Sequence, residues 1–401
     1  MGIDGASKRI YLDNAATSYP KPGEVWESMA RYMHDIGASP GRGGYGSSLD
    51  AGRLVFEARE TAAQLFHAPG AEQVVFTPNV TYALNFAIHG LLRRGDHIVT
   101  TSMEHNSVIR PLRSAGESIG AEVTVVKCDA QGRLDPHDVR CALRPNTRMV
   151  VMTHASNVCG TVMPIVEVAG VAHEAGVFMV VDAAQTAGVI DIDLRSMAVD
   201  VLAFTGHKGL YGPPGTGGMV LSARAATEMA SSIQGGTGSR SDEEFQPGFL
   251  PDKFEPGTPN TLGIAGLRAG IGFLLENGVD QIGMHELRLA GEFAKAARAI
   301  PGIRVFGLWE TGDEAAICAR DRVATVSVGF VSAQADPARA AFLLDKEFGI
   351  MVRSGLHCAP LAHRTLGTFP AGTLRFSFGW FNTMSDVRDA AGALSCIAER
   401  C

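Results

Sequence analysis

No apolar run in this chain approaches the roughly 18 residues that a membrane span requires. The opening stretch MGIDGASKRIYLDN has no apolar core of the length a secretion signal needs. Ala6 stands where an N-myristoylation pattern wants Ser or Thr. No CxxC pair occurs, and the seven cysteines (Cys128, Cys141, Cys159, Cys318, Cys358, Cys396 and Cys401) are scattered and odd in number. That pattern excludes a disulfide scaffold and a zinc ribbon, so no structural metal is expected and a reducing cytoplasm is the expected compartment. Positive charge is also short: the formal net charge is −7, which gives neither nucleic acid nor an anionic membrane a reason to bind.

What remains is an ordinary globular composition, 46% hydrophobic and 19% charged over 401 residues, enough for two lobes. Glycine is abundant, with 47 residues, and clusters between apolar segments where backbone must pass close to a ligand. Seven β-rich runs lie between residues 70 and 222: VVFTP, HIVTT, EVTVVK, MVVMTHA, FMVVDAA, VLAFTG and GGMVLS. Helix-length stretches separate several of them. Continuous apolar strands alternating with helices predict a mostly parallel seven-stranded sheet covered on both faces. In such sheets a site forms beyond the carboxyl ends of the strands. The polar residues Thr77, His105, Asn157, Asp182, His207 and Lys208 are therefore expected to converge.

Residues 223–260 break the pattern, and the stretch QGGTGSRSDEEFQPGFLPDKFEPGTPN within them reads as a long ordered loop rather than a helix; loops of that length are usually functional. Helices are expected near 262–276, 283–300, 336–348 and 384–399, with strands at 323–331, 349–353 and 373–378. Residues 21–260 are read as a large α/β domain, and 1–20 with 261–401 as a smaller α+β domain.

Two glycine motifs are set aside. Gly41, Gly43 and Gly46 satisfy GxGxxG, but a helical stretch precedes them where a dinucleotide site needs a strand. GPPGTGG (212–218) lacks the GKS or GKT ending of a nucleotide loop. The chemistry lies instead in VVDAAQTAG and FTGHKGLYGPPGTGG. Asp182 closes an apolar strand, where a buried carboxylate needs a partner such as a protonated pyridine nitrogen. Lys208 follows another strand, placed to condense with an aldehyde and then shuttle a proton. Alone, each residue would more often be a helix cap or a loop lysine; one βαβ step apart among these glycines, they point to pyridoxal chemistry.

With EHNS (104–107), SNVCG (156–160), TGHKGLYGP (205–213), FEPGTPN (254–260), VRSGLHC (352–358) and RFSFGWFNT (375–383), the chain resembles the class-V aminotransferase group of fold-type I pyridoxal-phosphate enzymes. Within it the likeness is to cysteine desulfurases and selenocysteine lyases, running nearly end to end. The resemblance implies the aspartate-aminotransferase fold and pyridoxal 5'-phosphate held covalently by Lys208. Asp182 would pair with the ring nitrogen and His105 would stack on the ring. Gln185 and Asn157 would approach the phenolic oxygen and the substrate carboxylate. Thr81, Thr205 and His207 would hold the phosphate, with Thr258 reaching the neighbouring subunit's phosphate in a homodimer with shared sites. Arg375 would clamp the substrate carboxylate, a task suited to its fork. One departure is Asn79-Val80-Thr81, where Gly-Thr-Thr is commoner. It shifts the burden of the phosphate onto backbone N–H groups and Thr81.

Cys358, five residues after Arg353, resembles the nucleophile of the short catalytic loop in SufS-like, type II desulfurases. A thiolate there could take sulfur from L-cysteine as a persulfide and release L-alanine. His357 and the positive field of Arg353 are expected to favour that thiolate. A sulfur-acceptor protein is the expected partner. The rival readings are a selenocysteine lyase, a cysteine or cystine C–S lyase for which Cys358 is dispensable, an aminotransferase, and a regulatory or scaffold protein that binds the cofactor without turnover. Cys396 and Cys401 carry no assigned role.

Overall fold

The computed structural model describes residues 9–41, 43–310, 321–332 and 335–400; Cys318 and Cys401 lie outside them. A two-residue strand β1 (Ile10–Tyr11) leads into helices α1 (Gly23–Arg31) and α2 (Gly46–Leu65). Next come β2 (Val74–Thr77), α3 (Val80–Leu91), β3 (His97–Thr101), α4 (Asn106–Ile119), β4 (Glu122–Val126) and α5 (Pro136–Ala142). They are followed by β5 (Thr147–Thr153), α6 (Ile165–Glu174), β6 (Phe178–Asp182), β7 (Val201–Thr205), β8 (Gly217–Leu221) and α7 (Ala223–Glu228). Strands β2 to β8 form one seven-stranded sheet in the order β2-β8-β7-β6-β5-β3-β4. Every neighbouring pair is parallel except those of β8, which runs antiparallel to both β2 and β7.

The apolar runs are continuous because both faces are covered. Met179, Val181, Leu202 and Phe204 enter one buried cluster, whereas Phe178, Val180, Val201 and Ala203 enter another. Alternate residues of one strand thus feed cores on opposite sides, as the two-residue period of a strand requires. At its carboxyl end the apolar pattern stops, and polar residues begin with Asp182 on β6 and Thr205 on β7.

The second half holds α8 (Thr261–Asn277), α9 (Val279–Arg298), β9 (Ile303–Val305), β10 (Thr325–Phe330), α10 (Pro337–Phe348), β11 (Ile350–Met351), β12 (Arg353–Gly355), α11 (Pro360–Thr365), β13 (Thr373–Ser377) and α12 (Met384–Ala398). An antiparallel sheet of order β12-β13-β10-β9 builds a further core with α9, α10 and α12. Helix α8 belongs elsewhere: its Ile264, Leu267, Ile271 and Leu274 pack into the core of the large sheet.

Three local differences from the sequence reading have simple causes. The run GIMVR splits in two, because Ile350 and Met351 pair in parallel with Ile10 and Tyr11 while Arg353 turns to face Arg375 on β13. A short helix, α7, opens the stretch 223–260 that is expected to be loop, started by Ser222, whose hydroxyl accepts from Ala225 N–H at 3.1 Å. Strand β9 is only three residues long, too short for its periodicity to stand out. No described helix is long and apolar enough to cross a membrane.

Candidate active site

The carboxyl edge of the large sheet brings Asp182, Lys208 and His105 together. Asp182 is 3% exposed, and its Oδ1 accepts from Ala184 N–H at 2.9 Å. Its Oδ2 has only a long contact from the Ser107 hydroxyl at 3.4 Å. Burial raises its pKa, opposed by the Ala184 hydrogen bond, the Lys208 charge and Ser107. Burial likewise lowers Lys208 to about 8, with Asp182 pulling the other way and Arg375 and Arg353 reinforcing it. Among the described residues nothing accepts a hydrogen bond from Lys208 Nζ. His105 caps α4: its Nδ1 accepts from Ser107 N–H at 3.0 Å and lies 2.8 Å from the Ser107 hydroxyl. Burial, helped by Lys208, Arg110 and Arg375, lowers its pKa to about 4, so the ring is neutral.

The arginines converge on an acid that sequence reasoning assigned no role. Arg375, 2% exposed, donates from Nη2 to Asp13 Oδ1 at 2.8 Å and from Nη1 to the Asn157 carbonyl at 2.9 Å. Its Nε is buried without a partner. Two of the five guanidinium donors are therefore committed, and the rest are free for a carboxylate. Arg353 holds the other side of Asp13, with Nε at 3.0 Å and Nη2 at 2.9 Å from Oδ2. It is half exposed, and Cys358 is among the groups that raise its pKa, after Asp13 and Tyr11.

Cys358 is exposed, and its carbonyl accepts from Asn106 N–H at 2.8 Å, which ties it to the start of α4 next to His105. Asn157 Nδ2 donates to the His357 carbonyl at 2.7 Å. Asn157 thus links the cysteine loop to Arg375. The expectation that His357 favours a thiolate is corrected: the ring turns inward to Thr373 at 3.1 Å, and burial holds its pKa down to about 2. A neutral, inward ring supplies no positive charge to its neighbour.

At the phosphate end, Thr205 Oγ1 is buried without a partner at the carboxyl end of β7, beside the amino end of the antiparallel β8. His207 is held near pKa 4 by burial, then by Lys208 and Lys21. Thr81 is exposed at the start of α3. The expectation that free backbone N–H groups there carry the anion needs correcting. Asn79 caps α3, its Oδ1 accepting from Thr81 N–H at 3.0 Å and from Tyr82 N–H at 3.3 Å. Gln185 Nε2 donates to the Ala15 carbonyl at 3.1 Å. Thr258 is exposed and makes no hydrogen bond among the described residues.

The donor set suits pyridoxal 5'-phosphate. A buried carboxylate without a cation bonded to it, an amine of lowered pKa and an orphaned buried hydroxyl lie along one sheet edge. Sequence reasoning also passed over Glu104 and Lys21. Glu104 is fully buried and pushed up to about 8 by burial, and it accepts from Thr101 Oγ1 at 2.6 Å and Thr153 N–H at 2.9 Å. Lys21 donates to Ser18 Oγ and to the His207 carbonyl, both at 2.8 Å. The signal for both was membership of motifs, EHNS and SYPKP, whose charged residues have no place on a solvated face.

The profile of the class-V aminotransferase family matches residues 10–389. A probable cysteine desulfurase of Methanothermobacter thermautotrophicus is 35% identical over 393 residues, 97% of this chain and 94% of the relative. A cysteine desulfurase of Haloferax volcanii is 32% identical over 99% of this chain and 91% of its own length. Among solved structures, an apo cysteine desulfurase from Thermococcus onnurineus superposes with a TM-score of 0.89 at 30% identity, covering 98% of this chain and 95% of that one. A cysteine desulfurase from Escherichia coli gives 0.86 at 28% identity, over 98% and 95%.

Proposed function

Because the chain belongs to the class-V aminotransferase family, among its cysteine desulfurases, we propose that it converts L-cysteine to L-alanine with pyridoxal 5'-phosphate and takes the sulfur onto Cys358. Bound cofactor supplies the electron sink that makes the substrate's Cα proton removable. The observation that carries the residue assignment is the junction at Asn157, which connects the buried Arg375 to the loop of an exposed cysteine.

Arg375, with Nε free and the guanidinium braced by Asp13, binds the substrate carboxylate. Asp182 would hold a proton at the pyridine nitrogen and neutral His105 would pack on the ring, each being buried at this sheet edge. Thr81, Thr205 and His207 would take the phosphate, Gln185 would serve the phenolic oxygen, and Asn157 the substrate carboxylate. Lys208 Nζ, whose pKa burial lowers to about 8, would take the Cα proton and return it to Cα once Cβ, freed of sulfur, has gained its own proton. Cys358 Sγ attacks the substrate Sγ: an S–S bond forms, the Cβ–Sγ bond breaks, and its electron pair goes to Cβ, which is protonated to the methyl of alanine. Arg353, held by Asp13 on the strand that leads into the cysteine loop, would lend its positive charge to the attacking sulfur. Exposed Thr258 reaches the phosphate of a second copy in a homodimer, and the persulfide leaves to an acceptor protein or a reductant.

The test is product identity from L-cysteine and a thiol reductant, for the cofactor-loaded enzyme and for Cys358→Ala. Equal alanine and sulfide, lost in the variant, is the expected result. Pyruvate and ammonia, or activity indifferent to the substitution, would replace this mechanism with C–S lysis. Faster turnover of L-selenocysteine that survives the substitution would mark a selenocysteine lyase.

A further inference from the structure

We propose that Thr373 is a positioning residue that fixes the placement of Cys358, so that one strand, β13, holds both the substrate-carboxylate arginine and the loop of the attacking sulfur. The proposal rests on the assignment of Cys358 as nucleophile made above. It starts from backbone conformation. His357 and Cys358 both lie in the left-handed region, with φ of 47° and 56°. Two successive non-glycine residues there persist only where their surroundings over-determine them.

Three hydrogen bonds supply that constraint: Asn157 Nδ2 to the His357 carbonyl, Asn106 N–H to the Cys358 carbonyl, and the His357 ring to Thr373. Only the third holds the loop through a side chain of its own, and its direction follows from counting protons. Ser327 Oγ donates to the Val158 carbonyl at 2.6 Å, which uses its one hydrogen. In its 3.0 Å contact with Thr373 Oγ1 it can therefore only accept, and Thr373 commits its hydrogen there. Thr373 Oγ1 must then accept from His357, so the neutral ring carries its proton on Nε2. The relay runs from His357 through Thr373 and Ser327 to Val158, which lies in the loop that carries Asn157. Ser327 and Thr373 are fully buried and His357 is 8% exposed. Water cannot substitute for a member.

Thr373 and Arg375 are two residues apart on β13 and share a face of the sheet, about 6.7 Å apart along the strand. The cross-strand partner of Arg375 is Ser327, the next member of the relay. The distance from carboxylate clamp to cysteine loop is thus set by the pitch of one strand.

Thr373→Val keeps the shape and removes both hydrogen bonds; Thr373→Ser keeps the hydroxyl. In the cofactor-loaded enzyme, Thr373→Val is expected to retain the cofactor absorbance, with KM for L-cysteine within about twofold and kcat lowered roughly ten- to a hundredfold. Alkylation of Cys358 by iodoacetamide, followed on its own peptide by mass spectrometry, should quicken as the loop loosens. Thr373→Ser should restore both rates, and Ser327→Ala should move them in the same direction as Thr373→Val, but less. Wild-type kcat in Thr373→Val, or a loss that includes the cofactor absorbance and is not rescued by serine, would overturn the proposal. A wild type that forms no alanine would remove the function instead. The alkylation rates of the two Thr373 variants would still decide the positioning claim.

Discussion

Asp13 stands 362 residues from Arg375 in the chain and within 2.8 Å of it in space, and the consequence is energetic before it is catalytic. Arg375 is buried, and desolvation alone pulls its pKa down; Asp13 is what keeps a charged guanidinium tolerable there. Removing one partner of a buried pair leaves the other uncompensated, so Asp13→Ala should cost about 3–5 kcal/mol. Urea denaturation of the purified variant checks this, and a loss below about 1 kcal/mol would mean that Arg375 finds another partner. Residues of this kind are the least legible in sequence. Lys208, Asp182 and Cys358 announce themselves by motif, whereas a brace for an arginine depends on a fold that closes the first residues of the chain onto the last strand. His357 shows the converse: its neighbour in sequence is Cys358, but its ring bonds Thr373 in the interior.

At the scale of elements, the strands of the large sheet were legible because both faces are buried and the apolar runs unbroken. The helix starts were legible where the cap is a side chain of familiar type, as with Asp336 before Pro337 and Thr383 with its reciprocal partner Asp386. Strands β11 and β12 were not separable, since the same five residues serve two sheets and only their partners distinguish them. Helix α3 carries a testable element-level consequence. Asn79 satisfies two N–H groups that would otherwise point out of the helix start, so Asn79→Ala should lower the stability of the cofactor-free protein by about 1 kcal/mol. Thermal unfolding measures it, and an unchanged Tm would mean that solvent caps α3 equally well.

Across the whole molecule, the buried titratable groups set a stability profile with two limbs. His105, His154, His207 and His363 are all held near pKa 4 by burial, below the unfolded value of 6.5. Their contribution is fully present above pH 6.5 and is lost as pH falls toward 4. Glu104 and Glu286 are pushed up to about 8 by burial, above their unfolded value of 4.5, so their contribution is present at low pH and is lost as pH rises through 8. His97 and His357, also depressed by burial, join these four, and together they outweigh Glu104, Glu286 and the likewise raised Asp182 below pH 6.5; above it the carboxyls titrate until Lys21 and Lys208 begin near 8. The Tm of the cofactor-free protein should therefore peak near pH 6.5. Glu104→Gln should flatten the fall between 6.5 and 8; a wild-type Tm that climbs steadily to pH 8 would contradict this.

The pairing of β1 with β11, and of Asp13 with Arg375, also fixes an order of events during synthesis. The strands that carry Asp182 and Thr205, and Lys208 just beyond them, are complete once residue 221 has emerged from the ribosome. Asp13 must wait for residue 375, which at about 5–20 residues per second comes roughly 20–70 s after it. A nascent chain therefore presents Lys208, the proposed cofactor lysine, well before it owns either the proposed carboxylate clamp, Arg375, or the proposed nucleophile, Cys358. The capacity to strip sulfur from an amino acid is the last property the growing polypeptide acquires.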